Sequence, residues 1–297
     1  MKNTKAIVTL VIGNRYIKKW KKLCEKSWQK YAEKHGYDLI IIDSPLDDSP
    51  RAQKRSPAWQ KCLILSQDFS NKYERIVWVD SDILINSSLA PCITKDVPIE
   101  KVGATNEWSS PTPLLYAQAL ERKYEYYKYA ELDIVHDDTA QKFYSNYGLP
   151  PKFDSTVQTG VMVLSPDHHR QILEKVYFEY EDKGTPEWNY EMRPLSCELL
   201  AADFVHWIDH RFNLIWFDYL CLHYPFAFKK SRSPFIRKVE RKLQILSSDL
   251  GIPPRLSIRK VCANTAFINS FFLHFAGSGA DMILVDTEVT SWRNFIS

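Results

Sequence analysis

Several common signatures are missing from this chain, and each absence narrows what it can be. Its six cysteines, Cys24, Cys62, Cys92, Cys197, Cys221 and Cys262, are scattered. No pair has the close spacing of a zinc knuckle or a redox motif. Several lie in apolar stretches, where a free cysteine packs as a small hydrophobe. A reducing compartment is the simpler expectation, although an even count leaves disulfides open. The apolar run Ala6 to Ile12 near the start is too short for a signal-peptide core with its cleavage site and far too short to span a membrane. No later stretch is long enough either, so a cytoplasmic location, in a bacterium or a virus-infected host, is expected. Internal repeats and low-complexity tracts are absent. A net charge of only +3 across 297 residues singles out no partner, and nothing global calls for nucleic acid.

What is present is an ordinary globular composition, 45% hydrophobic and 25% charged, enough to bury a large core at this length. The first third alternates strand and helix signals. Ala6–Ile12 is a β-branched apolar run that predicts a buried parallel strand. Apolar residues at helical spacing from Tyr16 to Lys34, with Gly36 just beyond, predict one helix. Leu39–Asp43 predicts a second strand. Ser56-Pro57 predicts a capped helix start, with the helix running to Phe69, and Arg75–Val79 a third strand. This order is that of a parallel nucleotide-binding sheet, in which ligands sit off the carboxyl ends of the strands. Further on, strands are expected at Ile99–Ala104 and Val157–Leu164. Helices are expected at Leu114–Leu132, Pro166–Tyr180 and Leu195–Phe204, with a Pro-rich loop at Gly184–Pro194 and mixed strand and turn over Val205–Trp216. From Lys229 to Lys260 only Glu240 and Asp249 are acidic.

The segment Arg75 to Ile85, RIVWVDSDILI, carries the strongest chemical signal. An apolar strand ends in two carboxylates one residue apart, and in extended backbone residues i and i+2 share a face. Asp80 and Asp82 could then converge on one hard cation, Mn²⁺ or Mg²⁺, which takes oxygen ligands and keeps positions open for phosphates. The plain alternative is a polar turn after a strand.

This segment resembles the aspartate–any–aspartate motif of GT-A glycosyltransferases, the retaining glycogenin-like and lipopolysaccharide galactosyltransferase group (family eight) in particular. Other segments match in order: AIVTLVIGNRYI the first strand, PAWQKCLIL with Lys61 the helix before the metal strand, VQTGVMVLSP a later strand, CELL an acidic catalytic segment, and HFAG the late histidine-glycine motif. The resemblance implies an α/β fold of the GT-A, Rossmann-like kind, a mixed sheet flanked by helices with a C-terminal helical and basic extension. It implies one catalytic domain over 1–297: a nucleotide-sugar half over 1–105, an acceptor half over 106–228, a basic helical insertion over 229–260 and a final segment over 261–297 with the metal-ligand histidine. It further implies transfer from a nucleotide-sugar, a UDP-sugar foremost, to a glycan or other hydroxyl acceptor, with retention. Two departures stand out. Gln158 and Thr159 replace the family's Asn and Ser or Ala, and Ala280 stands where the family has the Lys of a pyrophosphate-binding Lys-Pro-Trp.

Carried over position by position, the metal ligands expected are Asp80, Asp82 and His274, and the donor contacts Thr9, Ile12, Lys61, Asp80, Ser81 and Gly277. Glu198 and Gln158 are the expected catalytic residues, with Asp203 and Asp209 as nearby alternatives to Glu198. Each has a structural alternative. His274 reads equally as a satisfied core histidine, Glu198 as an exposed helical residue, and Lys61 as a solvated lysine. The tyrosines at 116, 124, 126, 127 and 129, with Trp108 and Trp188, read as a sugar-stacking wall or as core. The basic stretch 229–260 reads as a solvated face, or as a contact for anionic lipid or an acidic acceptor. Two other functions compete. A sugar nucleotidyltransferase normally carries a glycine-rich basic first loop, and here only Gly13-Asn14-Arg15 follows the first strand. A carbohydrate-binding protein on a transferase fold would have no use for the two aspartates and the histidine.

Overall fold

The computed structural model describes residues 3–184, 190–227, 242–243, 245–246 and 258–289. The basic stretch singled out at 229–260 lies almost wholly outside them, as does Trp188. The strands are β1 Lys5–Leu10, β2 Asp38–Ile42, β3 Arg75–Val79, β4 Ile83–Ile85, β5 Val102–Asn106, β6 Val157–Leu164, β7 Val205–Trp207, β8 Leu214–Ile215 and β9 Phe272–His274. The helices are α1 Asn14–Leu23, α2 Glu25–His35, α3 Pro50–Gln53, α4 Pro113–Tyr129, α5 Ala140–Ser145, α6 Pro166–Glu179, α7 Met192–Ala201, α8 Trp216–His223 and α9 Ile258–Ile268. None of the described helices is long and apolar enough to cross a membrane.

Among the described residues a six-stranded sheet runs β2-β1-β3-β6-β5-β7, and a three-stranded sheet runs β4-β9-β8. β1 is parallel to β2 and β3, whereas β6 is antiparallel to both β3 and β5. The sheet is therefore mixed, with a parallel first half, and the α/β class read from the sequence holds.

Period-two alternation explains the layers. Ile7, Val77, Val79, Val161 and Val163 point to one core, which also holds Trp20, Trp28, Tyr31, Trp216, Phe267 and the strands of the small sheet. Their neighbours Ala6, Val8, Ile76, Trp78, Met162 and Leu164 point to a second core with Trp59, Leu173, Val176, Leu195 and Leu199. Both faces of β3 are buried, which is why its sequence is continuously apolar up to Asp80.

Three expectations are corrected. The helix read as Tyr16–Lys34 is two, α1 and α2, broken at Cys24 (φ −109°, ψ −44°). At the break the Cys24 thiol donates to the Ser81 carbonyl at 3.8 Å, and Trp20 and Trp28 meet edge to face across it, 5.4 Å apart. The helix read from Ser56 is a 3-10 segment over Pro57–Ser66, followed by another over Asp68–Lys72. Ser56 does cap it, accepting from the Ala58 N–H. It buries every residue from Trp59 to Leu65, and an amphipathic α-helix would leave one face out. The helix read as Leu195–Phe204 starts earlier, at Met192, inside the stretch taken as loop. Gly36 ends α2 in the left-handed conformation (φ 68°) as expected.

Candidate metal and nucleotide site

The site forms where β3 runs out. The Asp80 N–H donates to the Gly160 carbonyl at 2.8 Å, so the end of β3 stays tied to β6. Ser81 and Asp82 then turn the chain into β4. The two carboxylates thus converge through a turn and not, as the sequence implied, along one face of an extended strand. Side chains from the kinked helix pair bracket this turn: Cys24 holds the Ser81 carbonyl, and Trp28 Nε1 donates to the Ile83 carbonyl at 3.0 Å. On the other side β4 pairs with β9 in a register that sets Ile83 opposite His274, and the Phe275 N–H donates to the Asp82 carbonyl at 3.0 Å.

That register brings a residue from near the far end of the chain onto the motif. His274 Nε2 lies 3.2 Å from Asp82 Oδ1 and 4.0 Å from Asp80 Oδ2. One ligand atom each from Asp80, Asp82 and His274 all fall within 4.8 Å of one another. Two carboxylates and an imidazole form a donor set suited to Mn²⁺, and the spacing lets one ion touch all three. The residues therefore fit a divalent cation.

The imidazole is oriented from behind. His274 Nδ1 lies 2.8 Å from Asn213 Oδ1, and Asn213 Nδ2 donates to Gln158 Oε1 at 3.3 Å. Gln158 Oε1 also accepts from the Gly160 N–H at 2.8 Å. With the Asn213 amide fixed this way, Nδ1 carries a hydrogen toward Asn213 Oδ1 and Nε2 faces the carboxylates, so Asn213 orients the ring. The ring lies against the backbone of β6. A Cβ at Gly160 would sit 2.5 Å from His274 Cε1 and 2.8 Å from Nδ1, so glycine is required for this approach.

Lys61 links the cluster to a second acid. Its ammonium, buried from solvent, lies 3.0 Å from Asp80 Oδ1, 2.9 Å from Glu191 Oε1 and 3.3 Å from the Thr159 carbonyl. Thr159 Oγ1 donates to Glu191 Oε1 at 2.9 Å, and Trp78 Nε1 donates to Asp80 Oδ1 at 2.7 Å. Burial alone would lower the Lys61 pKa, but Asp80 and Glu191 outweigh it and raise it, so the lysine stays charged. Burial pushes the Glu191 carboxyl up, with Lys61 opposing. Burial would raise Asp82 and lower His274, but their mutual attraction reverses both: Asp82 falls below the usual carboxylate range, and His274 rises above the usual imidazole value.

The fold brings together Asp80, Asp82, His274, Lys61 and Gln158. Ser81 forms the turn between the aspartates. Thr9 lies on β1, fully buried, and its Oγ1 finds no partner among the described residues. Ile12 is half-buried between β1 and α1, and Gly277 is exposed at φ 65° with open space where a side chain would be. Glu198 is not brought to the cluster. It sits two turns along α7 from Glu191, paired with Lys175 at 2.7 Å and accepting from the Tyr180 hydroxyl at 2.5 Å. Its alternatives are likewise engaged elsewhere, Asp203 with Lys101 and Asp209 with Arg211. Tyr116 packs against Trp108, and Tyr126 and Tyr127 against Phe217, whereas Tyr129 is exposed.

Sequence reasoning missed Glu191, Asn213, Trp78 and Gly160. Glu191 lay in a stretch read as loop, four residues before the helix start expected at Leu195, and carried no mark. Gly160 inside an otherwise apolar strand was a legible sign of close approach. Asn213 carried no signal.

No family model matches the chain, and no curated protein matches it. Solved structures similar to it include a glycosyltransferase involved in the glycosylation of the major capsid of PBCV-1 (14% identity, TM-score 0.48, 94% of this chain and 97% of that one). Another is the bifunctional glycosyltransferase WbbM in its apo form (11%, 0.48, 93% of this chain and 46% of that one). A third is the galactosyltransferase LgtC in complex with donor and acceptor sugar analogs (12%, 0.44, 97% and 99%).

Proposed function

We propose that this chain is a metal-dependent glycosyltransferase that moves a sugar from a nucleotide-sugar, a UDP-sugar in the first instance, to a hydroxyl of a glycan acceptor. The observation that carries the reading is the Asp80–Asp82–His274 cluster, placed beyond the carboxyl ends of the parallel strands β1 and β3, where α/β sheets bind their ligands. The resemblance of the ordered segments around it supplies the reaction class, and with it retention of anomeric configuration.

In this reading Asp80, Asp82 and His274 Nε2 hold Mn²⁺ or Mg²⁺, which when bound neutralises charge on the diphosphate leaving group. The chain's own residues do the rest. Asn213 and Gln158 orient the imidazole so that it presents Nε2. Trp78 and Lys61 fix the Asp80 carboxylate. Lys61 and Glu191, paired and buried behind Asp80, hold that carboxylate in place and balance its charge. The resemblance assigns Thr9 and Ile12, on β1 and just beyond it, to the nucleoside end of the donor.

The test is calorimetric titration of UDP with Mn²⁺, then with EDTA, into wild type and Asp82→Asn. Metal-dependent binding that the substitution abolishes is expected. Glycan binding without metal or any nucleotide affinity would replace the reading with that of a carbohydrate-binding protein.

A further inference from the structure

We propose that a pocket beside the metal cluster, walled by α4, α8 and the end of β5, takes the acceptor as an uncharged pyranose, with the Glu107 carboxylate receiving its hydroxyls and turning acidic sugars away. The inference rests on the glycosyltransferase reading and deepens it by naming the class of acceptor.

Topology puts this pocket on the same edge of the sheet as the cluster. β3 and β5 are both antiparallel to β6, so they run the same way. β5 therefore ends at Asn106 on the edge where β3 ends next to Asp80. In the strand order β2-β1-β3-β6-β5-β7 the cluster stands at β3 and β6, with β1 on one side and β5 on the other. A donor whose nucleoside lies toward β1 leaves the β5 side for the sugars. There Glu107, Tyr116, Gln158, Asn213, Asp218 and Tyr219 line a pocket. Asn213 is the residue behind His274, and it donates to Gln158, so the pocket and the cluster share a wall.

The walls are fixed, and their charge is of one sign. The Glu107 N–H donates to the Thr156 carbonyl at 3.1 Å, which ties the residue to the start of β6. Arg122 of α4 donates to the Cys221 and Leu222 carbonyls at the end of α8, and Lys123 of α4 pairs with Asp218 of α8 at 2.8 Å. The two helices are thus pinned to each other. Lys123 is held by Asp218, whereas the Glu107 carboxylate accepts only from the Tyr116 hydroxyl, at 3.2 Å, among the described residues. No lysine, arginine or histidine among the described residues lines the pocket. Burial raises the Glu107 carboxyl, with Lys123 opposing, so a hydroxyl that donates to it replaces hydration that burial removes. A carboxylate with unused lone pairs is a strong acceptor for such donors, and Leu214 and Ile215 in the same pocket offer apolar surface to the C–H face of a sugar ring. A uronic acid would instead bring a further carboxylate to Glu107 and Asp218 with no cation in the lining to receive it, and like charges so placed repel.

The experiment measures binding by saturation-transfer NMR with UDP and Mn²⁺ present. The probes are the methyl pyranosides of glucose, galactose and mannose, and the methyl glycosides of the matching uronic acids. Wild type is compared with Glu107→Gln, and calorimetric titration of UDP with Mn²⁺ checks the fold and the donor site of both. A neutral pyranoside is expected to bind wild type while its uronic counterpart does not. Glu107→Gln is expected to weaken the neutral pyranoside by about tenfold, the size of one charge-assisted hydrogen bond, and to narrow the gap to the uronic acid, with UDP affinity unchanged. Binding of no pyranoside, equal binding of the uronic acid to wild type, or a neutral pyranoside indifferent to Glu107→Gln overturns the proposal. Each leaves the functional reading standing where UDP binds with metal. Replacing UDP by UDP-glucose or UDP-galactose adds a further outcome: loss of the pyranoside signal without transfer to it would give the pocket to the donor sugar and overturn the acceptor assignment. If wild type shows no metal-dependent UDP binding, the glycosyltransferase reading falls, and the acceptor role of the pocket with it.

Discussion

At Gly160 the absence of a side chain lets the His274 ring approach the two aspartates. Asp80 and Asp82 are one residue apart in sequence, but His274 reaches them across backbone at Gly160 that has no Cβ. Gly160→Ala would place a methyl group 2.5 Å from His274 Cε1, and the neighbour is a ring wedged between β6 and Asn213 rather than the tip of a flexible chain. We expect this variant to lose Mn²⁺ affinity by more than tenfold while costing about 1–3 kcal/mol of stability, the usual range for overpacking. Mn²⁺ titration together with urea unfolding reads both, and unchanged metal affinity would show that His274 is not a ligand. The neighbouring trio of Lys61, Asp80 and Glu191 works differently. Lys61 is the one cation shared by two carboxylates, so removing it leaves the buried Glu191 carboxylate without its counter-ion.

At the scale of elements, α6 shows how a helix start can carry a pH response. Its N-cap Ser165 makes no side-chain capping bond. Instead the Ser165 N–H donates to His169 Nδ1 at 2.8 Å, and His169 Nε2 lies 3.1 Å from the Glu100 carbonyl. The ring therefore serves as acceptor at one nitrogen and donor at the other, which only the neutral form can do. Burial lowers its pKa from 6.5 to about 4, with the Glu100 carbonyl opposing. Between these values the unfolded chain binds a proton that the folded chain refuses. The stability contributed is full above pH 6.5, falls as pH drops toward 4, and is constant below, a total of ~3 kcal/mol. Urea unfolding at steps from pH 7.5 to 4 should show this slope in wild type and a shallower one in His169→Gln. Identical slopes would mean that the loss comes from other groups. The α1–α2 pair illustrates a second element-level device. Its break at Cys24 lets two of its side chains take the carbonyls on either side of Asp82, which a straight helix would not do.

For the whole molecule, the site joins both sheets and both cores. β3 and β6 come from the six-stranded sheet, β4 and β9 from the small one, and the candidate ligands span residues 80 to 274. A ligand held there ties together segments far apart in the chain, and by linkage stabilises all of them. UDP with Mn²⁺ at a hundredfold excess over Kd should add about 2.7 kcal/mol and raise Tm by several degrees. EDTA or Asp82→Asn should cancel the rise. An equal rise in their presence would place nucleotide binding somewhere other than at this cluster.

How much of this was legible beforehand follows from the range of the forces involved. Local pattern determined the strands: β3 and β6 appear with the bounds that their apolar runs imply, Gly36 closes α2, and Ser56 caps the segment carrying Lys61, because hydrophobic period and capping are properties of a few consecutive residues. The carboxylates Asp80 and Asp82 at a strand end were legible from their chemistry, whereas His274 was singled out only through the resemblance of HFAG to the family's late histidine-glycine motif. Tertiary structure alone decided that a turn, not an extended strand, converges the aspartates, and that the 3-10 segment buries all sides of itself. It also decided that Glu191 and not Glu198 lies beside the cluster, though the two share one helical region. Those outcomes depend on what β9, β6 and α1 bring from elsewhere in the chain. A residue's sequence neighbours say which chemistry it can perform; the strand register and the packing of two sheets determine which partners it performs it with.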